Sequence, residues 1–91
     1  MLSQNTKKIY IINFNPKDFF DLTLEALENL QTSDLIISTR ELDRKFRLNL
    51  NKINSALEIN TGLLKNRTKC IKYLISKLNK FNSISYLCFG D

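Results

Sequence analysis

The residues best placed for chemistry fall in one loop near the start of the chain. Asn13, Phe14, Asn15, Pro16, Lys17 and Asp18 follow a short apolar run over 9–12 and precede an amphipathic stretch that begins near Leu22. The loop holds the only proline and a carboxylate, Asp18. It lies at the carboxyl end of an expected strand, the edge at which open α/β sheets bind ligands. Asp18 also suits a plain turn or the start of a helix. Asn13 and Asn15 tolerate the left-handed backbone region better than other side chains do, so turn geometry alone accounts for them as readily as ligand contact. A second pair of interest, Gly90 and Asp91, follows the last apolar run. Arg40, just past the second apolar run, is either an anion-binding cation or a solvated residue at a helix start.

Other chemistries are excluded by composition. There is no histidine, and the two cysteines, Cys70 and Cys88, lie far apart, so a Cys/His metal set is not expected. Both cysteines read as small buried hydrophobes, and the expected setting is reduced and cytoplasmic. No signal peptide or membrane-length apolar run is visible. Fourteen Lys and Arg against nine Asp and Glu give a net charge of +5. Much of the excess lies in Lys65, Arg67, Lys69, Lys72, Lys77 and Lys80. A basic helix can bind nucleic acid or an anionic membrane, but this run reads as a solvated helix face, and neither partner is expected.

Four apolar runs and three helix-period segments alternate along the 91 residues, which suffice for a single domain over 1–91. The expected elements are a strand over 8–13, a helix from about Leu22 capped by Asp21 or Thr23, and a strand over 35–38. A short helix over 40–46 and a polar connection over 47–52 follow. A weak strand over 56–59, a helix over 64–78 and a strand over 84–89 complete the order. The unbroken apolar core of the first strand suggests burial on both faces. Leu64, Ile71, Leu74, Ile75 and Leu78 are expected to form the buried stripe of the last helix. Strands alternating with helices predict a three-layer α/β domain with a mainly parallel sheet of about four strands.

The stretch from Lys8 to Asp34 resembles the opening of the tetrapyrrole methylase family, enzymes that use S-adenosylmethionine. That family begins with a strand, a G-x-G-P-G-D loop and a helix opening L-T-L-x-A-L. Pro16 and Asp18 match the loop, as do Leu22, Thr23, Leu24, Ala26, Leu27, Leu30, Asp34 and Leu35 beyond it. Asn13, Asn15 and Lys17 stand where the family has glycine. Gly90 and Asp91 match the first two letters of the family's G-D-P, which follows a strand and helps to shape the S-adenosylmethionine site. Ser38-Thr39-Arg40-Glu41-Leu42 with Lys45-Phe46 is similar to the G-x-R-x-L…F pattern of precorrin and cobalt-precorrin C-5 methyltransferases, which act in cobalamin synthesis.

The resemblance covers residues 8–91 and the first half of the family fold. It implies that Asp18 is a catalytic or orienting carboxylate and that Pro16, Gly90 and Asp91 meet the methyl donor. Asn13, Asn15 and Arg40 would meet a tetrapyrrole substrate. It also implies a missing second domain, supplied by a separately encoded half or replaced by self-association of an unpaired apolar rim. Alone, the half-cleft is expected to be inactive, because methyl transfer needs donor and acceptor held in line. Two alternatives stand beside this reading. One is a degenerate, non-catalytic remnant or binding module. The other is a different branch of the family, the uroporphyrinogen-III, ribosomal-RNA or diphthine methyltransferases.

Overall fold

The computed structural model describes residues 7–14 and 19–89. Four strands form one sheet: β1 (Lys8–Phe14), β2 (Leu35–Ser38), β3 (Leu57–Ile59) and β4 (Ser83–Phe89). Their order is β1-β4-β2-β3, and every pair is parallel. Three α-helices connect them: α1 (Leu24–Thr32), α2 (Arg44–Ile53) and α3 (Arg67–Lys77). Short 3-10 turns span Phe19–Asp21 and Thr61–Lys65.

Two apolar clusters, one on each face, make the domain three-layered. On the face covered by α1 and α2 the cluster comprises Ile12, Phe14, Leu30, Ile36, Leu42, Phe46, Leu50 and Leu87. On the face covered by α3 it comprises Leu35, Ile37, Leu63, Cys70, Leu74 and Ile84. The helices change face where the chain changes direction. From β1 to β2 to β3 the chain moves one way across the sheet with its helices on one side. From β3 it turns back over β2 to reach β4, with α3 on the other side. Reversing both direction and face keeps the same crossover hand throughout, as the rule for parallel units demands.

Local chemistry explains most element boundaries. Thr23 caps α1, its hydroxyl accepting from Ala26 N at 3.0 Å, and Glu25 sits in the first turn where the helix dipole favours it. Strand β2 is buried at all four positions because helices cover both its faces.

Four expectations are corrected. The second helix starts at Arg44 rather than Arg40 and continues to Ile53, through the segment read as a polar connection. Asp43 caps it, accepting from Lys45 N at 3.1 Å, and Leu50 extends the Leu42–Phe46 stripe into full burial. The third helix starts at Arg67, after a 3-10 turn, rather than at Leu64. Its buried stripe is also rotated. Cys70 and Leu74 are buried while Ile71 and Ile75 are 50% and 57% exposed, because α3 docks on the sheet through its Cys70–Leu74 side. Finally, β1 is an edge strand, and Ile11, on the same face as α3 but beyond its reach, is 67% exposed.

Candidate functional site at the carboxyl edge of the sheet

Parallel pairing brings the ends of β1 and β4 together. Their register runs from Lys8 opposite Ser83 to Phe14 opposite Phe89, so both strands finish at the same edge and level. The loop after β1 and the Gly90-Asp91 pair after β4 therefore begin from neighbouring positions. Asn15, Pro16, Asp18, Gly90 and Asp91 lie outside the described residues. Asn13 is exposed, opposite Cys88 in the register. Below this edge Phe46 anchors the site's floor, with its ring 4.9 Å from Phe14 and 5.2 Å from Phe19. The last described residue before the loop, Phe14, is thus packed in the core, and a packed root is what positioning chemistry requires.

Arg40 does not share that neighbourhood. It follows β2, which is separated from β1 by β4, so roughly 10 Å lies between their strand axes. Arg40 is exposed, and its backbone is fastened at the strand end. Its N–H donates to Ser38 Oγ at 3.2 Å, and that hydroxyl donates to Arg40 O at 2.7 Å. The Arg40 backbone is thus fixed at the same sheet edge as the end of β1, two strand spacings away.

Sequence reading missed a polar cluster behind this edge. Thr39 is 3% exposed and hydrogen-bonds the Tyr86 hydroxyl, to which the Cys70 thiol also donates, at 3.4 Å. Burial, then the Cys70 hydrogen bond, pushes the Tyr86 phenol up to about 12, against the opposing effect of Thr39. Burial, and then the neighbouring Cys70, also raises the Cys88 thiol. Tyr86 accordingly stays protonated, and Cys88 is a poor thiolate nucleophile. With its phenol protonated, the cluster supplies no base at neutral pH. Its signal in the sequence was slight: Tyr86 alternates with Ile84 and Cys88, but nothing marks Thr39 as its partner.

A second recess lies on the far side of the sheet. Asn60 N donates to Ser38 O at 2.8 Å and ties the ends of β2 and β3. These adjacent strands send their chains to opposite faces, and that divergence opens a crevice. A cavity of about 500 Å³ beside it is lined by Asn60, Gly62, Leu63, Lys69, Lys72 and Tyr73. The Tyr73 hydroxyl donates to Glu58, whose carboxylate lies 3.7 Å from Lys77 Nζ. Lys69 and Lys72 can meet an anionic group there.

Among the described residues no cluster of His, Cys, Asp and Glu could hold a metal ion, and no helix is long and apolar enough to cross a membrane. The chain matches no protein-family model, no curated protein and no solved structure.

Proposed function

We propose that these residues form the first half of an S-adenosylmethionine-dependent C-methyltransferase acting on a corrin-ring precursor, inactive without a second half. The observation that carries the reading is the shared finish of β1 and β4, Phe14 opposite Phe89. The two segments resembling the tetrapyrrole methylase signature, the loop to Asp18 and Gly90-Asp91, each follow one of these neighbouring strands. In this reading Asp18 orients or deprotonates the substrate, and Pro16, Gly90 and Asp91 approach the methyl donor. Asn13, Asn15 and Arg40 meet the tetrapyrrole, with Arg40 pairing with a peripheral carboxylate.

One sequence feature favours a second reading, a remnant without methyl transfer. Asn15 and Lys17 add bulk where the family keeps glycine for close backbone approach to the ligand.

Calorimetric titration with S-adenosylmethionine separates the two. The chain alone is expected to bind weakly or not at all. Fused to the second domain of a corrin-ring C-5 methyltransferase, it is expected to bind the donor, and Asp18→Ala is expected to abolish turnover by the fusion. No binding by a folded fusion would overturn the methyltransferase reading, and micromolar binding by the monomer alone would overturn the need for a second half.

A further inference from the structure

Strand β1 presents its outer edge to a groove. Among the described residues β1 pairs with β4 alone. On its other side a groove of about 370 Å³ runs between the strand, from Ile9 to Asn13, and α1, from Thr23 to Asn29. The strand is seven residues long with no proline, glycine or break in register. Edges of this length are ordinarily blunted, because their free N–H and C=O groups are a template for another strand.

We propose that a second copy of this chain docks here, its β1 pairing antiparallel with the first around a two-fold axis at Ile11. The two four-stranded sheets then become one. Three features fit this occupant. First, the register sets Ile11 against Ile11 of the second copy, on the face where this side chain is 67% exposed. Cross-strand aliphatic pairs of this kind stabilise a sheet. Second, Lys8 shares its face of the strand with Tyr10, Ile12 and Phe14, the face toward α1, since alternate residues point the same way. In the proposed register Lys8 of the second copy reaches the level of Phe14, near the start of α1, where Glu25 lines the groove. Symmetry makes this opposite-charge contact twice. Third, an interface that uses the same patch on both copies closes at two, whereas joining β1 to the three-residue edge strand β3 would leave further edges open. The net charge of +5 on each copy opposes association. At physiological salt that repulsion is screened beyond about 8 Å, while the Lys8–Glu25 contacts act at shorter range.

Sedimentation over a concentration series tests the assignment. The wild-type chain is expected to dimerise reversibly. Ile11→Lys, at a position exposed in the single copy, is expected to leave the circular dichroism unchanged and the protein monomeric. Glu25→Lys is expected to weaken the dimer roughly tenfold by removing two pairs and adding repulsion, and Lys8→Glu with Glu25→Lys to restore it. A wild-type chain that stays monomeric throughout the series would overturn the proposal. So would a dimer indifferent to Ile11→Lys, or a charge swap that restores nothing.

Discussion

The carboxamide of Asn54 donates to the carbonyl of Leu30, 24 residues earlier, at 2.8 Å. The same nitrogen donates to Ser33 O at 2.8 Å, and Asn54 Oδ1 accepts from Ala56 N at 2.9 Å. One side chain therefore ties the end of α1, the end of α2 and the entry to β3. Asn54→Ala leaves two carbonyls and an amide without these partners. A loss of about 2 kcal/mol is expected in urea unfolding, because partly buried polar groups must then find water. Asn54→Asp is similar in shape but loses both donors, and it is expected to cost about as much.

Leu50 and Leu48 separate helix burial from helix presence. Leu50 is 0% exposed and Leu48 53%. Leu50→Ala is expected to cost about 3 kcal/mol, a large share of a small domain's stability. Leu48→Ala is expected to stay within about 0.5 kcal/mol. Equal effects would show that α2 does not continue through these positions as described.

The rotated seam of α3 gives a similar contrast. Leu74 is 7% exposed and Ile75 57%. Leu74→Ala is expected to cost about 3 kcal/mol, and Ile75→Ala less than about 1 kcal/mol. Chemical denaturation of the two variants beside the wild type reads the difference directly.

Alkaline stability follows from Tyr86. Its phenol ionises near 10.0 when unfolded and about 12 when folded. Between those values the unfolded chain releases a proton that the folded chain keeps, so unfolding becomes more favourable as pH rises. Below the unfolded value this group contributes no slope. Cys88, raised from 9.0, adds a loss of the same sign beginning near that pH. Urea midpoints measured across the alkaline range are expected to fall from about pH 9 and more steeply above about pH 10, and Tyr86→Phe is expected to flatten the steeper part while lowering stability at neutral pH.

Where local pattern and tertiary environment agreed, the sequence was readable. The β2 segment, bounded by Asp34 and Thr39, and the Thr23 cap of α1 follow from residue type and spacing. The parallel sheet followed from alternation of the elements. The failures have physical causes. Ile71 and Ile75 have helical spacing equal to that of Cys70 and Leu74, and only the position of α3 over the sheet decides which pair is covered. Ile11 looked central because its neighbours are apolar, but strand order put it at an edge. Of the expected site residues, Asn13 in β1 and Arg40 just after β2 are described at one edge of the sheet, with β4 between the two strands. The Thr39–Tyr86–Cys70 cluster joins residues up to 47 positions apart, beyond any local signal.

Strand β4 is the last of the four in sequence yet sits between β1 and β2. Among the described residues the first strand has no neighbour until the fourth has been made. A chain emerging from the ribosome must therefore hold β1 unpaired through the synthesis of everything between them. Such non-local closure slows folding and leaves an apolar strand waiting. During that interval the KIYIINF segment is available to any other strand it meets, so production of this protein should depend on folding helpers and temperature more than its small size suggests.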